Sequence, residues 1–323
     1  MLAKQIASET NGKPEITKPA GSFARLRHSI GMANWKIWLE ATRPKTLPAA
    51  LAPVLLASAL AHAHGGFLPA AALLCFFFAL SMQIGTNLAN DYLDGVKGTD
   101  TADRIGPQRA VASGLIAAGV MRWAAVSVLL FGFCLGLALI PFGGWWLLAV
   151  GLTSVACAWC YTGGPYPLAY NGLGDLFVIL FFGFIAVGVS YYVQTGALVL
   201  DALLLGMGSG LLINNLLVVN NYRDRVGDIE AGKITLVARF GPGFALAQCR
   251  AAGLIAGFVL IGLSLRGAGL WILFGLIPAA SAFRLAGHLQ RAQSGEDFLR
   301  CLRQAGQAVI AYAILVSLGF ILQ

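Results

Sequence analysis

The stretch from Gln83 to Asp100 reads QIGTNLANDYLDGVKGTD. It begins inside an apolar segment and ends in a loop rich in carboxylates. At 3.6 residues per turn, one face of a helix would carry most of its polar side chains, namely Gln83, Asn87, Asn90 and Asp94. A carboxylate at a helix C-terminus faces the negative end of the helix dipole, so this end of the helix favours a bound cation.

The composition around this stretch indicates an integral membrane protein. Of the 323 residues, 58% are hydrophobic and only 11% are charged, whereas soluble domains carry about 25% charged residues. The apolar runs are long and unbroken, which favours helices over the alternating ten-residue strands of a barrel. The net charge of +8 then relates to orientation and anionic lipid rather than to nucleic acid.

Apolar segments separated by Gly, Pro or charge predict an all-α bundle of nine transmembrane helices. We place them at about 46–64, 69–93, 114–140, 144–161, 173–194, 199–221, 240–263, 268–286 and 302–322. Residues 1–40 contain six basic residues and no long apolar run, which predicts a basic cytoplasmic tail with an interfacial helix near 23–39. Residues 41–323 form the predicted membrane domain.

The distribution of positive charge predicts the orientation of this bundle. With the N-terminus in the cytoplasm, every one of the 22 Lys and Arg residues except Arg266 falls in the tail, in an inner loop or on its flanks. The C-terminus then lies outside, and the loops after the second and sixth spans both lie on the cytoplasmic side.

The loop after the sixth predicted span repeats the pattern of the first stretch. Residues 220–233 read NNYRDRVGDIEAGK, in which Asn220, Asp224 and Asp228 are four residues apart and therefore share a helix face. Two such faces supply amide and carboxylate oxygens, the ligands that Mg²⁺ prefers. Basic residues lie in both loops: Lys97, Arg104, Arg109, Arg223, Arg225 and Lys233. A metal held by carboxylates, with Lys and Arg beside it, suits the binding of a diphosphate.

Two other interpretations explain the same residues. The charges would form interfacial ion pairs that only anchor helix ends, or they would be ion sites of a coupled transporter. The carboxylates lie at helix ends beside basic loops rather than near the middle of the membrane, which favours the diphosphate site.

The two Asp-containing stretches resemble the aspartate-rich motifs of the UbiA superfamily of intramembrane prenyltransferases, most closely the 1,4-dihydroxy-2-naphthoate branch of menaquinone synthesis. Six stretches carry the resemblance: RPKTLPAA at 43–50, NLANDYLD at 87–94, RIGPQR at 104–109, YTGGP at 161–165, GLGD at 172–175 and GKITL at 232–236. It extends from about Trp38 to the C-terminus. The first motif of the wider superfamily has a third Asp where this chain has Gly98. Asp91, Asp100 or Asp103 is therefore left to complete the first metal site, and Asp100 is our choice.

The resemblance implies a Mg²⁺-dependent enzyme of the bacterial cytoplasmic (inner) membrane, with a central cavity under cytoplasmic cap loops. Its substrates would be a polyprenyl diphosphate, whose chain extends into the bilayer, and an aromatic acceptor that loses CO₂. The implied metal ligands are Asn90, Asp91, Asp94, Asp100, Asn220, Asp224 and Asp228. Asp94, Asp224, Asp228 and Lys97 would be catalytic, and the diphosphate would contact Lys45, Arg104, Arg109 and Lys233.

The acceptor site is predicted from four residues. Tyr161 and Tyr166 lie in a charge-free cytoplasmic loop, where they would line the acceptor site, shield a cation or belong to an interfacial aromatic belt. Asp175, at the start of a predicted helix, would cap that helix, or hold the acceptor or a basic residue of the active site. Asn87 shares the helix face of Asn90. A related enzyme with another acceptor, such as 4-hydroxybenzoate, homogentisate, a chlorophyllide or haem, is an open alternative. The sequence does not specify the prenyl chain length or the oligomeric state.

Overall fold

The computed structural model describes residues 35–98 and 109–323, and this described part is helical and contains no strand. The chain divides into two compact units, Met1–Trp38 and Leu39–Gln323. Only residues 35–38 of the first unit are described. The predicted basic tail with its interfacial helix therefore lies largely outside the described residues.

The second unit is built from long helices joined by short ones. The long helices are α1 (Pro48–Ala63), α2 (Pro69–Lys97), α3 (Ala118–Leu137), α4 (Trp146–Cys160), α5 (Gly174–Thr195), α6 (Leu200–Glu230), α7 (Pro242–Leu263), α8 (Leu276–Arg291) and α9 (Gly295–Ile321). Helix α5 passes through a π-helical segment at Ile179–Ile185. Short helices occur at Pro44–Thr46, Ile140–Gly143, Leu168–Tyr170, Leu236–Phe240, Ser264–Ala268 and Trp271–Gly275.

The lengths and hydropathy of these helices confirm a multi-pass helical membrane protein. In the described residues, seven helical stretches are long and apolar enough to cross a membrane: α2, α3, α5, α6, α7 continued to Ala268, α8 together with the short helix before it (Trp271–Arg291), and α9. Helix α1 reaches that length only together with the bent helix before it, Trp35–Thr46, and α4 is a shorter apolar helix of 15 residues. Seven of the nine predicted spans thus meet the criterion for spanning on their own.

A turn at residues 43–47 separates α1 from the helix before it. Arg43 has a φ of 53°, a left-handed conformation that is uncommon outside glycine. Pro44 and Pro48 begin the next two helical segments, where proline is tolerated because the first amide of a helix needs no partner within it. The turn brings Arg43 and Thr46 to the wall of the cavity described below.

Helix α6 lies at the centre of the bundle. In its most apolar window 72% of the residues are buried, against 28% for α3. The backbones of α5 and α6 are in contact, because a Cβ added to Gly183 would lie 2.5 Å from the carbonyl oxygen of Gly206. Small residues permit this close approach between membrane helices. This packing holds the N-terminal part of α6, and the opposite end of the helix carries the second Asn/Asp stretch.

Candidate active site

A cavity of about 260 Å³ lies among α1 to α6. At one end its wall is polar and includes Arg43, Asn90, Tyr161 and Asn220, and elsewhere it is mainly apolar, with side chains such as Val54, Phe78, Leu147 and Phe181. Cys75 and Asn90 both line it and are fifteen residues apart on α2, so the cavity extends about 22 Å along that helix. This shape suits a molecule with a polar head and a long hydrocarbon chain.

Asn87 joins α2 to the turn before α1. Its Nδ2 donates to the carbonyl oxygen of Thr42 at 2.9 Å and to Oγ1 of Thr46 at 3.2 Å. Gln83, one helical turn earlier, also donates to Oγ1 of Thr46 at 3.2 Å. Asn87 lines the cavity, so the structure places it in the wall where we predicted an acceptor contact.

Asn90 and Lys97 both contact Thr162 in the loop between α4 and α5. The Thr162 hydroxyl donates to Asn90 Oδ1 at 2.6 Å, and Lys97 Nζ donates to the Thr162 carbonyl oxygen. Asn90 also lines the cavity. The first Asn/Asp stretch therefore fixes this loop over the polar end of the cavity.

Asp91 and Asp94 serve different partners although both are buried. Both carboxylate oxygens of Asp91 accept hydrogen bonds from backbone amides, those of Ala110 at 3.2 Å and Val111 at 3.0 Å. Asp94 Oδ1 accepts from the Tyr170 hydroxyl at 2.9 Å, and its Oδ2 lies 3.8 Å from Arg109. Asp91 thus holds the start of the segment before α3, which differs from the metal-ligand role predicted for it.

At the second stretch, each polar side chain has a different local partner. Asn220 lines the cavity and donates its Nδ2 to the Leu216 carbonyl oxygen at 3.0 Å. Asp224 accepts two hydrogen bonds from its neighbour Arg223, at 2.6 and 2.8 Å. Asp228 is 7% exposed, and its Oδ1 lies 3.5 Å from Lys233 Nζ.

Tyr170 connects the two stretches, and the sequence analysis did not identify it. Its hydroxyl binds Asp94, and its ring lies 4.6 Å from Lys97 Nζ and 5.5 Å from Lys233 Nζ. The available signal was its position, nine residues after Tyr161 and inside the same charge-free loop. That signal does not indicate which helix end a loop tyrosine will contact.

Tyr161 lines the cavity, whereas Tyr166 does not. Burial and the nearby Asp175 carboxylate raise the pKa of Tyr161, with smaller effects of Asp94 and Asp228 in the same direction and of Arg43 in the opposite one. Both Asn/Asp stretches and Arg43 therefore act on one phenol, which stays protonated at neutral pH. Tyr166 is 58% exposed, so it lies away from the predicted acceptor site.

Asp175 is buried behind the cavity wall rather than in it. Its Oδ1 accepts from Asn214 Nδ2 and from Gln248 Nε2, both at 2.9 Å. These bonds join the start of α5 to α6 and α7. Asp175 thus joins three helices through amide side chains, which differs from each role predicted for it, and within the described residues no side-chain cap hydrogen bond is present at the start of α5.

The predicted diphosphate contacts divide into three groups. Arg109 and Lys233 lie beside Asp94 and Asp228. Lys45 is exposed on the short helix before α1, while its neighbour Arg43, which we did not predict, lines the cavity. Arg104, Asp100 and Asp103 lie outside the described residues.

The side chains at the two stretches fit a hard divalent cation whose coordination shell is completed by water and a bound phosphate group. Asn90, Asp94, Asn220, Asp224 and Asp228 offer only oxygen and amide groups. In residues 35–98 and 109–323, no three His, Cys, Asp or Glu side chains converge on a point. Mg²⁺ commonly binds through one or two carboxylates with water and substrate phosphate completing its shell, so this set suits a metal that arrives with a diphosphate.

Comparison with known proteins gives one family. The model of the UbiA prenyltransferase family matches residues 50–301. A 1,4-dihydroxy-2-naphthoate octaprenyltransferase of Mycobacterium tuberculosis is 38% identical over 289 residues, covering 88% of this chain and 97% of its own. The enzyme of the same name from Escherichia coli is 41% identical over 218 residues, covering 65% of this chain and 70% of its own.

A solved structure shares the fold. A UbiA homolog from Archaeoglobus fulgidus, bound to DMAPP and Mg²⁺, aligns with a TM-score of 0.57 at 15% identity. The alignment covers 87% of this chain and 99% of that one. At this identity the likeness establishes the arrangement of helices and not the substrate.

Proposed function

The chain belongs to the UbiA prenyltransferase family, and on that basis we propose that it transfers a polyprenyl group from polyprenyl diphosphate to 1,4-dihydroxy-2-naphthoate in menaquinone synthesis. The observation that supports this most strongly is the cavity, which is polar where both Asn/Asp stretches meet it and apolar along its length. A diphosphate fits the first part and an isoprenoid chain fits the second. The relatives named for the naphthoate reaction support the choice of acceptor.

We propose that Mg²⁺ is held by Asn90, Asp94, Asn220, Asp224 and Asp228, whose contacts are described above. Asp91 is left out, because its oxygens bind backbone amides of the segment before α3, whereas the two bonds to Asp224 come from a side chain, that of Arg223, which can rotate away. Asp100 stays the proposed replacement for the third Asp of the first motif. When bound, Mg²⁺ neutralises the diphosphate as negative charge develops on it.

The remaining charges at this end of the cavity belong to the chain itself. Arg109 and Lys233 lie beside the two carboxylates, and Arg43 lines the cavity. These cations bind the diphosphate and stabilise it as the bond to the prenyl carbon breaks, because preorganised positive groups in a desolvated site act on developing charge. The bonding electrons leave with the diphosphate, and the prenyl carbon becomes an allylic cation.

Tyr161 and the apolar wall stabilise the allylic cation and keep water from reacting with it. The neutral phenol of Tyr161 presents a ring face that stabilises a nearby cation, and the apolar side chains exclude water. An electron-rich ring carbon of the naphthoate forms the new carbon–carbon bond, and its carboxylate leaves as CO₂. Asn87, beside Asn90 in the wall, is the proposed polar contact for the acceptor.

We also propose a nine-span topology with the N-terminus in the cytoplasm and the site on the cytoplasmic side of the bacterial inner membrane. Helix α1 with its preceding bent helix, and the 15-residue α4, supply the two spans beyond the seven that qualify alone. The near-exclusive placement of Lys and Arg on one side supports this orientation. Residues 1–40 form the proposed cytoplasmic tail and residues 41–323 the catalytic domain.

Product analysis tests the proposed function. Membranes that contain the protein would receive 1,4-dihydroxy-2-naphthoate and a polyprenyl diphosphate, with either Mg²⁺ or EDTA. We expect prenylated naphthoquinol, CO₂ and diphosphate in equal amounts with Mg²⁺, and none with EDTA. Prenylation that survives EDTA would contradict the metal site, and preference for 4-hydroxybenzoate in competition would contradict the acceptor.

A further inference from the structure

The backbone of Tyr170 is bound to the loop that follows α6. Its carbonyl oxygen accepts a hydrogen bond from the Ile234 amide at 2.9 Å. Two residues later Gly172 has a φ of 75°, and a Cβ added there would lie 3.1 Å from the Ile234 carbonyl oxygen. The segment is thus held against the second Asn/Asp stretch by a close contact that requires glycine.

The side chain of Tyr170 reaches the other stretch. Its hydroxyl donates to Asp94 Oδ1 at 2.9 Å, across 76 residues of sequence. Its ring lies 4.6 Å from Lys97 Nζ and 5.5 Å from Lys233 Nζ, so one lysine comes from each stretch. One residue therefore contacts a carboxylate of the proposed metal site and one lysine from each stretch.

These contacts match what the proposed reaction requires of the site. Two ammonium groups near one diphosphate repel each other, and lysine has a long side chain with many rotamers. An aromatic face within about 6 Å attracts each ammonium group and restricts where it lies. The hydroxyl orients the Asp94 carboxylate by binding its Oδ1. The other oxygen, Oδ2, then lies 3.8 Å from Arg109.

From this geometry we infer that Tyr170 is a positioning residue that holds Asp94, Lys97 and Lys233 in one arrangement for the diphosphate and its metal. The contacts of Tyr170 with these three side chains are the basis of this role, in which it acts on the diphosphate through them. The inference rests on the proposed function. The side chain has two separate roles, because its ring positions the two lysines and its hydroxyl positions Asp94.

Two substitutions separate these roles. Tyr170→Phe keeps the ring and removes the hydroxyl, whereas Tyr170→Leu removes both. Tyr192→Leu is the matched control, because Tyr192 is also half-buried and pairs with an aromatic ring, that of Trp146 at 5.3 Å, away from the Asn/Asp stretches. Calorimetric titration of the full-length protein in detergent with inorganic pyrophosphate, in the presence of EDTA, gives the metal-free affinity for pyrophosphate. This affinity depends on the basic residues. The Mg²⁺ concentration that gives half-maximal prenylation reports how well the carboxylates bind the metal.

We expect Tyr170→Leu to weaken pyrophosphate binding in EDTA roughly tenfold, since two ring–ammonium contacts are lost. Tyr170→Phe should bind pyrophosphate as the wild type does and require several-fold more Mg²⁺, because the hydroxyl that orients Asp94 is gone while the ring beside the lysines remains. In prenylation, Tyr170→Leu should raise the KM for prenyl diphosphate more than it lowers kcat. Tyr192→Leu should change none of these quantities.

Wild-type pyrophosphate affinity in Tyr170→Leu would overturn the inference. So would an unchanged Mg²⁺ requirement in Tyr170→Phe, and this comparison stands even if Tyr170→Leu does not fold. Failure of the wild type to prenylate the naphthoate would contradict the proposed function instead. The pyrophosphate affinities decide the role of the ring without reference to the acceptor.

Discussion

The C-terminal ends of α2 and α6 carry the same residue types at the same spacing and use them differently. Asp94 on α2 binds the hydroxyl of a loop tyrosine and lies near Arg109. Asp224 on α6 is bound by the adjacent Arg223 through two hydrogen bonds, and Asp228 is near Lys233. Among the contacts within the described residues, Asp94 is bound by distant segments, whereas Asp224 and Asp228 are contacted from their own helix and the loop after it.

This difference shows that four-residue spacing fixes which side chains share a face but not which of them are available to a ligand. Asp91 illustrates the point, because it is one residue from Asn90 and three from Asp94 and yet binds the backbone of residues 110 and 111. We expect the two ends to respond differently to substitution, in ways that follow from their partners.

The largest effect should come from one carboxylate at each end. Asp94→Asn and Asp228→Asn should each lower prenylation by roughly 10²-fold or more, because a lost metal ligand removes several kcal/mol of charge stabilisation. Initial rates at saturating Mg²⁺ measure this, with circular dichroism to confirm helix content. A full rate in either variant would show that its end does not belong to the site.

A smaller effect is expected from Arg43, the cation in the cavity wall. Arg43→Ala should raise the KM for prenyl diphosphate about tenfold, because Arg43 lines the polar end of the cavity and a charge-assisted contact is worth about 1.5–3 kcal/mol. The adjacent Lys45→Ala should leave KM nearly unchanged, since Lys45 is exposed. Equal effects of the two substitutions would contradict the assignment of Arg43.

Asp91 should affect stability more than chemistry. Asp91→Ala leaves the buried amides of Ala110 and Val111 without their acceptor, at a cost of about 1–3 kcal/mol in the free energy of unfolding. Thermal unfolding in detergent measures the loss, and the Mg²⁺ requirement of the folded fraction should match that of the wild type. A raised Mg²⁺ requirement in Asp91→Ala would instead indicate that Asp91 is a metal ligand.

The smallest effect concerns the ion pair on α6. Arg223→Gln should lower the Mg²⁺ concentration for half-maximal rate by a few-fold, because the two hydrogen bonds from Arg223 compete with a metal for Asp224. A Mg²⁺ titration of the initial rate measures the change. An increased Mg²⁺ requirement would instead mean that Arg223 orients Asp224 for binding.

The sequence was sufficient for the features that depend on local spacing. Apolar runs predicted a multi-pass helical bundle, and the positions of Asn90, Asp94, Asn220, Asp224 and Asp228 predicted two polar helix ends. Helical periodicity makes both inferences possible, since residues four apart lie on one face.

The features that the sequence did not predict depend on contacts between distant segments. Tyr170 reaches Asp94 only because its loop folds back over α2, and Arg43 rather than Lys45 faces the cavity because the chain adopts a left-handed conformation at Arg43. Span length was a further limit. The 15-residue α4 and the bent pair at α1 had apolar composition but not the continuous length of the other spans.

Metal binding tests most directly the claim that both helix ends form one site. Mn²⁺ would replace Mg²⁺, and electron paramagnetic resonance would measure the Mn²⁺ bound by the full-length protein in the presence of pyrophosphate. We predict that Asp94→Asn and Asp228→Asn each reduce the bound Mn²⁺, while Asp91→Asn binds as much as the wild type. Undiminished Mn²⁺ binding in either Asp94→Asn or Asp228→Asn would contradict a site shared by α2 and α6.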